Sequence, residues 1–398
     1  MKKSIKFAQN FDDEDDETDS RTPSKWTGSS KSSLARPSVI QLDNNTSNQT
    51  YTVELRLIIL KIGNIITKEN RFSCEAFLEA SWYDKNLAKQ LSYTPENLNK
   101  IKYDERYHWN PHLYIQNLLS HQSQEIWYNV EKCSQGYKIS EKRRFKGDFS
   151  QTFDLKNYPL DLQELTINIS TFRPQQEINL IVSTEKLSSI NVSTFTQTHE
   201  WTLYQTVCSS QVIRTNDITN ENQCSVDMSV CVLRKPNYYY WNSFLLAFII
   251  TMICLCCFSI RCDISSNRNI VGITVLLTLI TFKWSLTKNL PSLSYLTILD
   301  QYSLMNIIIV FINNIYFAVM GVFTTETCPA PYKEIDLYVF IGSTVMFHFL
   351  NSLHVLRFFV IKYRNRKVLL NRENEYNKNN SAKRARIKSI FQNGSNMD

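Results

Sequence analysis

His108 and His112 stand four residues apart, the spacing that can turn two imidazoles toward one metal ion from a helix face. Pro111 lies between them in "HWNPH" and opposes a helix, so a shared metal face is not expected. The other reactive side chains are no better arranged for catalysis. The eight glycines are scattered, none in a phosphate-cradling loop, and no G-x-S-x-G elbow occurs. Paired acids such as Asp12 and Asp16 belong to a polar tail, and His348 and His354 fall in an apolar run where packing is the expected role. Cys256 and Cys257 are adjacent in another apolar run, which fits neither a zinc nor a redox motif. Cys74, Cys133, Cys208, Cys224 and Cys231 precede that run. At least one of these five is therefore unpaired, and one or two disulfides are possible. No enzyme activity, cofactor, metal or nucleic-acid partner is expected.

The pattern with chemical content is a stripe of hydroxyls. From Ile270 to Lys288, at 3.6 residues per turn, Ile270, Thr274, Leu277, Thr281, Ser285 and Lys288 fall on one side of a helix. A polar group buried in hydrocarbon costs free energy unless it finds a partner, so this mixed face suits water better than lipid. The alternative is that the threonines bond their own helix carbonyls and the stripe is accidental.

The chain that must position this stripe has 398 residues, a net charge of +7 and 43% hydrophobic residues, an average that hides two unlike halves. Four apolar runs follow residue 236, at about 237–260, 270–286, 304–323 and 337–361, each near the roughly 20 residues that cross a bilayer as a helix. Residues 1–50, with "FDDEDDETDS", read as a disordered acidic and polar tail. Residues 51–235 read as strands, because runs such as "YTVELRLIILKIG" and "LTINIST" alternate polar and apolar side chains. The expected architecture is a β + α membrane protein, in which an N-terminal β-sandwich precedes a four-helix transmembrane bundle at 236–362 and a basic tail at 363–398. Sequons at Asn44, Asn45, Asn48, Asn168 and Asn191 would suit an extracellular sandwich, whereas no charged-then-apolar secretory signal opens the sequence.

A β-sandwich, then "RKP", then four spans with the second hydroxylated, resembles the pentameric ligand-gated ion channels, the Cys-loop receptor superfamily. "FDLKNYPLDLQ" (Phe153 to Gln163) is similar to the signature loop, and "WNPHLYIQN" and "FLEASWYD" to segments of the ligand-binding region. "RKP" at 234–236 and "NLPSLSYLTILD" are similar to the pre-span arginine and the linker between spans two and three. The loop cysteines would fall at Gln151 and Leu165, so the likeness is to the Pro-loop members that lack that disulfide.

The resemblance implies a plasma-membrane, multi-pass, homo- or hetero-pentameric channel that takes a small-molecule ligand between extracellular domains and conducts inorganic ions. It implies ligand contacts at Phe77, Trp109 and Phe172, with Gln116 replacing an expected Tyr and no aromatic in the capping segment "RTNDITNENQC". An amine gripped by cation–π attraction is therefore not favoured. It implies gating coupling through Tyr158, Pro159, Asp161, Arg234 and Pro291, with Asp161 and Arg234 as an ion pair. Five copies of the stripe would line a pore with Leu277 as the gate ring, shut by dewetting. At its mouths Asn267 stands where an acidic ring would mark a cation channel, while Arg268 and Lys288 would supply positive rings that favour anions. The rival is a membrane-anchored binding or assembly subunit of the same fold that does not conduct.

Overall fold

In the computed structural model, which describes residues 50–84, 103, 108–133, 136–183, 185–215, 220–288, 290–324 and 329–394, the N-terminal half is built of strands. The tail expected at 1–50 lies outside these residues except for Thr50. In β1 (Tyr51–Ile66), Val53, Leu55, Leu57 and Ile59 point inward while Thr52, Glu54 and Arg56 do not, as the alternation requires. This period of two fixes the register against β2 (Arg71–Asp84), where Leu57 faces Leu78 and Leu55 faces Ala80, because a slip of one residue would expose the whole apolar set.

The remaining strands are β3 (Leu113–Ile115), β4 (Leu118–Cys133), β5 (Gly136–Ser150), β6 (Leu162–Thr171), β7 (Ile178–Val182), β8 (Ser189–Ile190), β9 (Trp201–Thr215) and β10 (Asn222–Arg234). One sheet runs β4-β5-β2-β1-β7 with β8 paired to β1, and the second runs β3-β6-β10-β9. Their inner faces share a core in which Trp82, Phe72, Phe145 and Phe149 of the first sheet join Ile167, Ile169, Val226 and Met228 of the second. Gly136 opens β5 at φ +127°, a conformation that L side chains rarely adopt. All five cysteines of this half are free, so the disulfides considered possible there do not form.

Four helices follow, each long and apolar enough to cross a membrane. They are α1 (Asn237–Ser259), α2 (Ser265–Thr287), α3 (Ile298–Phe323) and α4 (Ala330–Gly394). Three begin upstream of the apolar runs that announce them, α2 at Ser265, α3 at Ile298 and α4 at Ala330. For α3 the reason is a capping box, in which Thr297 and Asp300 satisfy each other's backbone N–H groups before the hydrophobic stretch starts. Close packing and polar contacts hold the bundle together. Gly272 lets α2 approach α3 so tightly that a Cβ there would lie 1.8 Å from Asn314 Oδ1, and Asn314 Nδ2 donates to Gly272 O at 3.0 Å. Thr251 of α1 donates to Asn306 of α3, and Tyr302 of α3 to Asn351 of α4.

The basic segment 363–398 is not a separate tail through its described part. The last helix runs unbroken from Ala330 to Gly394, about 100 Å at 1.5 Å per residue, and beyond the membrane it lies against the β-domain. Nothing interrupts it because the segment contains no Pro or Gly between Gly342 and Gly394.

Candidate functional site

The loop Phe153–Leu160, between β5 and β6, is the meeting point of the two layers. Leu155 N donates to Tyr295 Oη of the α2–α3 linker at 3.0 Å, and Ile298 N, at the start of α3, donates to Lys156 O at 3.2 Å. Tyr158 is buried and meets Tyr239 of α1 edge-on with centroids 5.1 Å apart. Burial pushes the Tyr158 phenol well above its usual range, so it is a neutral hydrogen-bonding group at any physiological pH. Pro159 follows it through a cis bond, Leu160 O accepts from Asn365 Nδ2 of α4 at 2.7 Å, and Pro291 lies half-buried in the α2–α3 linker.

Asp161 and Arg234 form the ion pair at this junction. Arg234 Nε donates to Asp161 Oδ1 at 2.9 Å, the backbone N of Arg234 donates to Asp161 O at 3.2 Å, and both side chains are almost wholly buried. The guanidinium lies 4.1 Å from the Trp201 ring and 4.9 Å from the Tyr158 ring and also bonds Glu200. Burial alone would lower the Arg234 pKa, but Asp161 outweighs it and the net shift is upward. Gln163 Nε2 in turn donates to Asp161 Oδ2 and to Asp154 O, each at 2.8 Å, so the carboxylate is oriented from two sides. A cavity of about 560 Å³ opens beside the pair, lined by residues including Ile65, Lys68, His199 and Tyr238.

The residues expected to touch a ligand are not brought together within one chain. Phe172, just beyond β6, is 63% exposed and stacks on Tyr114 at 4.1 Å, while Phe77 lies half-buried on β2 of the other sheet beside Trp127 at 5.7 Å. Trp109 does not join either face. It stacks on Tyr51 at 4.1 Å, meets Trp82 edge-on and lies beneath the Arg173 guanidinium at 5.2 Å, so it packs the strand edge instead of offering a ring to solvent. Part of the capping segment, 216–219, lies outside the described residues.

All six stripe residues of α2 are exposed, Ile270 at 64% and Leu277 at 61%, while Gly272, Val275 and Leu279 face the other helices. Thr274 and Thr281 donate to Ile270 O and Leu277 O one turn back, so each hydroxyl is satisfied by its own helix and still presents an acceptor outward. Asn267 is exposed, and Lys288 lies over the Trp284 ring at 5.4 Å. Arg268 is the correction. It is buried against Asp336 of α4, with Nη1–Oδ1 and Nη2–Oδ2 both at 2.8 Å, and also bonds Ile260 O. A guanidinium neutralised in the bundle interior cannot supply a charged ring at a mouth.

The family model for the neurotransmitter-gated ion-channel ligand binding domain matches residues 34–236. The chain belongs to the neurotransmitter-gated ion-channel family. The match covers the β-domain up to the first residues of the bundle, ending where Arg234 and Pro236 lead into α1. The chain is also 21% identical over 280 residues to the neuronal acetylcholine receptor subunit beta-4 of Gallus gallus, covering 70% of this chain and 56% of that protein. To the gamma-aminobutyric acid receptor subunit beta of Lymnaea stagnalis it is 25% identical over 174 residues, 42% of this chain and 33% of that protein. To the gamma-aminobutyric acid receptor subunit epsilon of Homo sapiens it is 22% identical over 274 residues, 68% of this chain and 53% of that protein. The chain spans about half the length of the curated relatives it matches. Several residues of this neurotransmitter-gated channel chain that build the junction carry no motif. Trp201, Glu200 and Asn365 are such residues, and no motif in the sequence signals them.

Proposed function

We propose that the chain is a subunit of a pentameric channel opened by a small ligand bound between β-domains. The observation that carries this reading is the α2 helix, whose mixed stripe is exposed together with flanking residues such as Ile273 and Trp284, while the opposite face, at Gly272, Val275 and Leu279, packs the bundle. Five copies about an axis turn the stripe into rings, with hydrated Thr levels separated by apolar ones at Ile270 and Leu277. The placement of Phe77 and Phe172 on different sheets supports a ligand gripped from two neighbouring copies, since one chain does not unite them. The loop 153–161, bonded to α1, the α2–α3 linker and α4, supports transmission from sandwich to pore through Tyr158, Pro159, Asp161, Arg234 and Pro291. With Arg268 internally paired, the charge left on the stripe is Lys288, and no carboxylate stands at Asn267. Anions are the favoured ions on simple electrostatics.

Recording currents from membranes holding this chain alone, across a ligand panel and a chloride gradient, tests the reading. Leu277→Thr should leak without ligand, because five hydroxyls let water bridge the dry ring, and replacing Asn267 by Glu should move reversal potentials toward cations. Stable surface expression with no current under any condition, including the Leu277 variant, would favour the non-conducting assembly subunit. Cation selectivity before any substitution would overturn the anion assignment alone.

A further inference from the structure

The cavity beside the Asp161–Arg234 pair carries polar groups that the pair does not use. Three stretches of chain build it: the end of β1 with the turn Thr67–Glu69, the segment leading into β9, and the start of α1. Hydrogen bonds tie them together. Ile65 N donates to Gln197 Oε1 at 2.8 Å, Lys235 N donates to Glu200 O at 2.7 Å, and Lys235 Nζ donates to Thr198 O at 2.6 Å.

Its wall has two parts. Ile65, Ile66 and the rings of Tyr158, Tyr238 and Tyr239 make the apolar part, and Lys68, His199 and Asn237 bring donors whose side chains have no ion pair or hydrogen bond among the described residues. Glu69, next to Lys68, is taken up by Arg71. The backbone N–H groups of Asn237 and Tyr238, the first two of α1, likewise lack a partner among the described residues, whereas those of Tyr239 and Tyr240 both donate to Pro236 O. Such a helix start favours an anion. The side-chain charges agree. Lys68 and Lys235 add two positive charges, and Arg234 with its two carboxylates, Asp161 and Glu200, subtracts one, which leaves a single unit of positive charge in excess.

We propose that this cavity binds a small aromatic monocarboxylate, with the carboxylate held by Lys68, His199 and the first N–H groups of α1 and the ring against the tyrosines. At about 560 Å³ the cavity is of the size that takes small molecules, and acetate or phosphate would leave most of it empty. A dicarboxylate would bring one charge too many, a neutral aromatic would leave Lys68 uncompensated, and the excess positive charge opposes an ammonium. Lys68 belongs to the β-domain and Asn237 to α1, so the bound acid spans the junction.

Benzoate is the probe. Equilibrium dialysis of radiolabelled benzoate against the full chain in detergent micelles, with protein-free micelles as the blank, should give saturable binding, and acetate and benzyl alcohol should each compete at least about tenfold more weakly. Lys68→Gln should weaken benzoate roughly tenfold, the size of one charge-assisted hydrogen bond. Tyr238→Ala should weaken benzoate and leave acetate unchanged, and Lys61→Gln, an exposed cation elsewhere on β1, should change neither. All three side chains are exposed, so the fold is retained, and a melting curve like that of the wild type checks it. Absence of saturable benzoate binding, or binding undiminished by Lys68→Gln, would overturn the site. Acetate competing as well as benzoate would overturn the aromatic class, and benzyl alcohol competing as well would overturn the carboxylate. Binding is read on the folded chain, so a chain that carries no current leaves this result standing.

Discussion

Asp161→Asn removes one charge from the junction while keeping the size and shape of the side chain. Arg234 then stays almost wholly buried with its cation facing a neutral amide, and its remaining anionic partner is Glu200, whose side chain is 44% exposed. Breaking a buried pair by removing one partner costs about 3–5 kcal/mol, because the other charge is left uncompensated. Glu200 and the rings of Trp201 and Tyr158 still stabilise the guanidinium, which puts the expected cost near 3 kcal/mol. For a domain of this size that corresponds to a fall in Tm of roughly 6–12 °C. Glu200→Gln, at the solvent edge of the same guanidinium, should cost no more than about 1 kcal/mol. Thermal unfolding followed by tryptophan fluorescence, with Trp201 against Arg234 as an internal reporter, measures both. If the two variants lose stability equally, or Asp161→Asn loses none, burial is not what makes this pair matter.

Arg268→Gln should deplete folded protein and leave the reversal potential of surviving channels unchanged, since the largely buried Asp336 would lose its guanidinium and keep only the Tyr316 hydroxyl, at a cost of about 3 kcal/mol. Yield and current recordings separate this from a selectivity role. Arg372 of α4 bonds Glu164 and Cys231 of the β-domain, so Arg372→Gln should speed hydrogen exchange in α4 above the membrane without lowering that of the spans. Burial tends to raise the Glu79 pKa, but hydrogen bonds from Lys186 and Arg56 outweigh it and hold the carboxyl below its ordinary value. Its contribution is therefore complete at neutral pH and lost as pH falls through that lowered pKa, and Glu79→Gln should flatten the acid limb of the stability profile.

Much of the sandwich was legible because its strands bury apolar side chains on one face. β1 and β6 announce themselves through Val53, Leu55, Leu57 and Leu165, Ile167, Ile169. β5 does not, because "ISEKRRFKGD" satisfies part of its buried face with an ion pair, Glu141 with Arg143, which hides the alternation. The helical spacing that defines the α2 stripe also sets Arg268 about 160° from Ile270, on the far side. Its interior position is thus readable from the sequence, but its partner Asp336, 68 residues on, is not. Trp109 was misplaced for a similar reason, since a W-x-P motif says nothing of the Tyr51 and Arg173 side chains that enclose it. The extension of α4 beyond the span was hidden because charge reads as tail until a surface is present to receive it.

That extension makes the spacing along α4 a matter of phase. Asn365, Arg372 and Tyr376 reach Leu160, Glu164 and Ser188 from one side of a helix that is continuous with the span. A single residue inserted after Val360 would rotate all three contacts by about 100° and carry them off the β-domain, although no contacting residue had changed. Seven inserted residues would restore the angle to within about 20° but lift the contacts by about 10 Å. Angle and height cannot both be recovered by any insertion, so the length of chain between the bundle and the β-domain is set as tightly as the identity of the residues that touch it.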